Sequence, residues 1–167
     1  HRSGLYPLPL PSGLGSEAAG EVLDVGAGVR DFRPGDRVAY ASGPLGAYAE
    51  VRAMPAAALV KLPDGIDERS AAAMMLQGMT VEYLIRRTYA VQRGETVLLH
   101  AAAGGVGLIA SQWLKHLGAT VIGTAGGTAK MELARTHGCD HVIDYHHEDV
   151  AARVREASDV HVDGARD

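Results

Sequence analysis

Cysteine is almost missing from this chain. Cys139 is the single one among 167 residues, which excludes an internal disulfide and fits a reducing compartment, the cytoplasm. Positive charge is scarce as well: 16 Lys and Arg face 20 Asp and Glu, a formal charge of −4. Nucleic acid needs a basic surface, so no nucleic-acid partner is expected. No apolar run approaches the length of a membrane span and no signal peptide is visible, so no membrane partner is expected either. No side chain stands out as a general acid, base or nucleophile, and the catalytic residues stay unknown at this level. Glycine, by contrast, is plentiful at 21 residues, which suits loop-rich β structure and a nucleotide fold.

The stretch that organises the chain runs from Thr96 to Gly107. Thr96–His100 suits a buried parallel strand, alanines and glycines make a turn, and an amphipathic helix follows over 105–117. Its apolar positions are Val106, Ile109, Ala110, Trp113, Leu114 and Leu117, with Ser111, Gln112, Lys115 and His116 on the other side. Strand, glycine turn and helix in that order form the phosphate-binding opening of a dinucleotide fold. Here the turn reads Ala102-x-Gly104-x-x-Gly107, with alanine where the first glycine usually stands. Gly104 and Gly105 let the backbone approach a pyrophosphate, and Gly107 lets the helix pack on the strand.

Residues 1–65 have another texture. Pro7, Pro9 and Pro11 forbid helix and ladder strand. Strand-like runs follow at Ala19–Val25, Arg37–Ala41, Ala47–Arg52 and Ala58–Leu62, with turn signals between them, as in part of a small barrel or sandwich. Asp67 is placed to cap a helix over Glu68–Leu76, Gly78 to interrupt it, and Thr80 to cap a second helix over Val81–Thr88. From Thr96 the pattern alternates: strand 96–100, helix 105–117, strand 120–123, helix 129–137, strand 141–144, helix 148–156. That predicts an α/β chain with a parallel sheet. The predicted domains are a partial β domain over 1–66, connecting helices over 67–95 and a partial nucleotide domain over 96–167. The chain opens without Met, and Asp159–Val162 reads as the start of another strand. A doubly wound sheet has about six strands, so an internal fragment is expected.

The second strand of the alternating part selects the dinucleotide. An NAD site places Asp or Glu about 20 residues past the glycine turn. Here the region reads Gly123-Thr124-Ala125-Gly126-Gly127-Thr128-Ala129-Lys130, with no acid before Glu132. Backbone N–H groups of Gly126 and Gly127, the Thr128 hydroxyl and the Lys130 cation suit a 2′-phosphate, which favours NADPH over NADH. Lys130 is otherwise a solvated first-turn lysine. Tyr145, ending the third strand, is either beside the same phosphate or half-buried packing.

The chain resembles the zeta-crystallin-like quinone oxidoreductases of the medium-chain dehydrogenase/reductase superfamily. The resemblance rests on Arg2–Pro7, Leu14–Gly20, Pro34–Val38, His100–Leu108 and Val142–Tyr145. It implies a GroES-like catalytic domain, a Rossmann doubly wound sheet, NADPH as hydride donor, a quinone as acceptor, and a homodimer at full length. It further implies that Gly104, Gly105 and Val106 hold the pyrophosphate. The loop Gly126–Lys130, Ala129 included, and Tyr145 would hold the 2′-phosphate. Thr80 and Tyr83 would face the nicotinamide half, Thr80 being otherwise an N-cap and Tyr83 core, while Tyr6 would stand near the acceptor. Zinc-dependent relatives carry Gly-His-Glu where this chain has Gly15-Ser16-Glu17, and a second site of clustered cysteines. With Ser16 and a lone cysteine neither set assembles, so the expectation is zinc-independence. His137-x-Cys139-x-His141, with His146 and His147 nearby, has no established ligand spacing and is read as packing and surface. Two rivals stay open: an enoyl-thioester reductase of the same superfamily, whose glycine turn is very similar, and a non-catalytic NADPH-binding or crystallin-like protein.

Overall fold

The computed structural model describes residues 7–162, and side chains as far as residue 158. Tyr6 lies outside the described residues. Two compact units divide the chain between Leu76 and Gln77.

In the first unit β1 (Ala18–Glu21), β2 (Arg37–Tyr40) and β3 (Val60–Lys61) form an antiparallel sheet in that order. β2 is central, so Val38, Ala39 and Tyr40 are buried, as is Ala41 after them. The expected strand over Ala47–Arg52 does not form. Gly43 and Gly46 turn the chain with φ of 118° and 119°, and the N–H groups of Gly46, Ala47 and Tyr48 bond Gly15 and Leu14 carbonyls in a loop. Arg52 donates to the Tyr40 hydroxyl (2.9 Å) and the Pro44 carbonyl (3.0 Å). The strand expected at Ala58–Leu62 is cut to β3 because Pro55, with φ of −60°, starts a 3-10 turn over Ala56–Ala58.

α1 (Glu68–Glu82) begins where expected, with Asp67 accepting from the Ser70 N–H (2.9 Å) and hydroxyl (2.7 Å). Gly78 does not interrupt it. A helical glycine costs about 1 kcal/mol but removes no hydrogen bond, so the ladder runs on through it. Thr80 is therefore inside the helix and cannot be an N-cap. The backbone then widens into a π turn over Tyr83–Thr88, closed by Tyr89 N–H to the Leu84 carbonyl at 3.1 Å.

In the second unit β4 (Thr96–Leu99), β5 (Thr120–Ala125) and β6 (His141–Asp144) form a parallel sheet in chain order. All six residues of β5 are buried, the pattern of a strand covered on both faces. α2 (Gly105–Leu117), α3 (Thr128–Thr136) and α4 (Val150–Val162) alternate with the strands. Two expectations fail here. Ser111 is fully buried rather than on the polar side of α2; its hydroxyl donates to the Gly107 carbonyl one turn back (2.9 Å), which makes burial affordable. Asp159–Val162 is the end of α4, not a strand. That helix is capped by Asp149, which accepts the Ala152 N–H at 3.0 Å, and no turn signal interrupts it before residue 162.

Candidate dinucleotide site

Parallel pairing sets Leu99 beside Gly123 and Ala125 beside Asp144. The carboxyl ends of β4, β5 and β6 therefore emerge together, and with them the turns 100–104, 126–127 and 145–149. Such an end is where ligands bind open α/β sheets.

The first turn is tightly built. Ala101 takes φ of 52°, a left-handed conformation uncommon for alanine. Ala102 is buried, and its N–H bonds the Thr124 carbonyl at 2.9 Å. Thr124 also sets its hydroxyl 3.2 Å from His100 Nδ1 and 3.4 Å from the Ala101 N–H, stapling the turn to β5. The roles expected of the glycines divide accordingly. A Cβ on Gly107 would stand 2.4 Å from the Ala101 carbonyl oxygen and 2.6 Å from that of Ala102, so only glycine lets α2 seat on the turn. Gly104 is the N-cap of α2 and offers no side-chain cap, leaving the first N–H groups free for an anion. Gly105 lies against Gln77, whose Cγ would be 3.2 Å from a Cβ there.

The second turn repeats the logic. Gly127, with φ of 86°, is the N-cap of α3 and again lacks a side-chain cap. Thr128, Ala129 and Lys130 form the exposed first turn, and Lys130 has no ion-pair partner among the described residues. A Cβ on Gly126 would stand 2.7 Å from the Tyr145 hydroxyl and 2.5 Å from His146 Nε2, so Tyr145 is brought to the loop that the sequence paired it with. Tyr145 is half-exposed rather than packed in the core.

Asp144 braces the two turns. It is buried and accepts the His146 N–H at 3.0 Å. That bond, with a further one from the Gly127 N–H, holds its carboxyl below the usual carboxylate range against the burial that would raise it. Its own N–H donates to Glu148 at 2.8 Å. With those N–H groups on it, Asp144 serves as an internal brace rather than as a ribose acceptor.

Val106, expected at the pyrophosphate, occupies the first turn of α2 and is half-buried. Thr80 is half-buried and Tyr83 exposed, so Tyr83 is not core. They follow Gln77 at i+3 and i+6 along α1 and the π turn, and Gln77 is the member of that row that lies against the glycine turn. Its Oε1 is buried and has no hydrogen-bond partner among the described residues. Sequence reasoning missed Gln77, Thr124 and His146. A threonine between glycines at a strand end was a usable signal for Thr124; the other two carried none.

The remaining chemistry is quiet. Burial pushes the Cys139 thiol up, away from the reactive thiolate. His137 Nδ1 donates to the Leu133 carbonyl at 2.8 Å. Among the described residues no group of three or more His, Cys, Asp and Glu side chains is gathered for a metal ion. Glu17, of Gly15-Ser16-Glu17, accepts the Leu76 N–H at 3.0 Å and so has a structural task. A groove of about 480 Å³ lies in the first unit, with Glu21, Tyr40, Arg52 and Met54 in its lining. No described helix is long and apolar enough to cross a membrane.

Residues 1–64 match the alcohol dehydrogenase GroES-like domain and residues 105–167 the zinc-binding dehydrogenase family. A quinone oxidoreductase of Pseudomonas aeruginosa is 60% identical over 95% of this chain and 49% of its own length. The chain belongs to the medium-chain dehydrogenase/reductase superfamily. Its first unit is accordingly GroES-like and its parallel sheet the opening of a Rossmann fold. The crystal structure of Escherichia coli quinone oxidoreductase complexed with NADPH matches with a TM-score of 0.90 at 52% identity, over 95% of this chain and 49% of that one. A 2-haloacrylate reductase of Burkholderia is 48% identical over 93% of this chain and 49% of its own length. The chain thus spans about half the length of the curated relatives it matches.

Proposed function

We propose that the protein is a zinc-independent oxidoreductase that passes hydride from NADPH to a quinone. The observation that carries this reading is the acid-free turn Gly126–Lys130, which opens an uncapped helix beside Tyr145. The residues present fit a dinucleotide. Gly107 and Gly126 stand where a Cβ would collide with the protein's own atoms, which keeps both turns tight, and no side chain caps the first N–H groups of α2 or α3.

Gly104, Gly105 and Val106 would hold the pyrophosphate. Gly126, Gly127, Thr128, Ala129, Lys130 and Tyr145 would hold the 2′-phosphate, and Thr80 and Tyr83 would flank the nicotinamide half. When bound, NADPH supplies the hydride, so the protein's own task is to bind, orient and exclude water. Tyr6 would stand near the acceptor. We also place the protein in the cytoplasm, on its cysteine usage, and read it as a homodimer at full length by its resemblance to the quinone reductases.

The test is a pair of titrations following nicotinamide fluorescence. NADPH should bind more tightly than NADH, and Lys130→Ala should weaken NADPH roughly 10-fold or more while leaving NADH alone, the worth of one charge-assisted contact. Equal affinity for the two dinucleotides, or no effect of the substitution on NADPH, refutes the assignment. A second reading, reduction of a carbon–carbon double bond conjugated to a carbonyl, is favoured by the similarity to 2-haloacrylate reductase. Turnover on a crotonyl thioester without turnover on quinones would establish it.

A further inference from the structure

We infer that His146 is a specificity-determining residue of the 2′-phosphate site, a ring donor beside the charge of Lys130. The inference rests on the NADPH reading above. Gly126 is the first residue past β5, and the position where its Cβ would be lies 2.5 Å from His146 Nε2 and 2.7 Å from the Tyr145 hydroxyl. The imidazole is thus drawn in over the same backbone that leads into α3, side by side with the tyrosine. It is exposed, and among the described residues its ring nitrogens have no hydrogen-bond partner. What fixes it is the main chain: the His146 N–H donates to Asp144 at 3.0 Å, and the ring tilts against Tyr145 with centroids 4.6 Å apart. Held backbone, free ring nitrogens and a facing glycine turn together describe a group aimed at a ligand rather than at the protein.

Charge gives the reason for a further donor here. Asp144 lies beneath the turn and keeps its negative charge, because the N–H groups of His146 and Gly127 favour the carboxylate. A 2′-phosphate above Gly126 would meet that field. The other titratable groups nearby are Tyr145, His147, whose ring centroid is 6.3 Å from that of His146, and Glu148, already engaged by Arg153 and the Asp144 N–H. Lys130 stands in the first turn of α3. The imidazole would donate from a ring nitrogen to a phosphate oxygen, a contact that the dinucleotide without that phosphate cannot make, so His146 should add to the preference for NADPH.

The test compares the protein with His146→Ala and His146→Arg by binding titrations with NADPH and NADH. Ala removes the ring donor, and Arg supplies donors with a fixed charge. The expected result is NADPH binding weakened about three- to tenfold by Ala, with NADH unchanged. Arg should hold NADPH at least as tightly as the parent. Equal weakening of NADPH and NADH, or no effect of Ala on NADPH, overturns the role of His146 while NADPH binding itself stands. If the parent protein does not prefer NADPH, the cofactor reading falls and this inference with it.

Discussion

Replacing Gly107 by alanine tests whether the glycine turn is built as described. In the first turn of a helix alanine ordinarily gains up to about 1 kcal/mol over glycine. Here the new methyl would stand 2.4 Å from the Ala101 carbonyl oxygen, 2.6 Å from that of Ala102 and 2.7 Å from the Ala102 carbonyl carbon. All are backbone atoms, and Ala102 is fully buried, so nothing nearby can swing aside. Unbonded carbon and oxygen keep about 3 Å or more apart, which forces α2 and the turn to separate by roughly half an ångström. Overpacking of that kind costs about 1–3 kcal/mol. The Ser111 hydroxyl bonded to the Gly107 carbonyl would be strained as well, for about 1 kcal/mol more. After the helix gain a net loss of about 2 kcal/mol remains, or a Tm lower by roughly 4–8 °C for a chain of this size. Thermal unfolding followed by circular dichroism measures it. Gly104→Ala is the control: its Cβ meets only the Ala101 oxygen, at 3.2 Å, and its backbone is extended. The two variants should differ clearly, and Gly107→Ala should also weaken NADPH binding. A Gly107→Ala protein as stable as the parent would refute the seating of α2 on this turn.

Two polar side chains give further expectations. Asp140 accepts the Val121 N–H at 2.9 Å and pairs with Lys115; burial works against its charge, but these partners outweigh it and hold its carboxyl below the usual range. Its contribution is therefore full above a carboxylate's ordinary pKa of about 3.9 and is lost as pH falls through the lower folded value. Asp140→Asn should cost about 0.5–1 kcal/mol at pH 7 and nothing once the parent's carboxyl is protonated; denaturant unfolding across pH 2 to 7 would show parallel curves if this is wrong. Gln77→Leu removes a buried carbonyl oxygen that has no partner among the described residues, so the Tm should rise by roughly 2–4 °C, about 1 kcal/mol. A fall in Tm would mean that the amide is bonded within the folded protein.

How far the fold could be read in advance depended on where each segment's hydrogen bonds go. α2 and β6 fall on the residues that periodicity predicts, because each is one apolar pattern bounded by glycine or a turn. The β unit was read poorly for the opposite reason. Ala47–Arg52 has the composition of a strand, but its N–H groups serve the loop at Leu14 and Gly15, and no local pattern announces a partner some thirty residues away. Gly78 misled because a glycine in a helix weakens it without breaking it, and only packing decides which happens. The site divides in the same way. Gly104, Gly107 and the acid-free turn at Gly126 are legible because their chemistry lies in the backbone that the sequence itself spells. His146 and Gln77 are not. Each matters through a neighbour distant in sequence, Gly126 for one and Gly105 for the other, and that adjacency exists only after β5 and β6 have paired and α1 has passed through its glycine unbroken. A histidine read as one of several surface imidazoles thus becomes a candidate reader of phosphate through Gly126, the residue that has no side chain to keep it away.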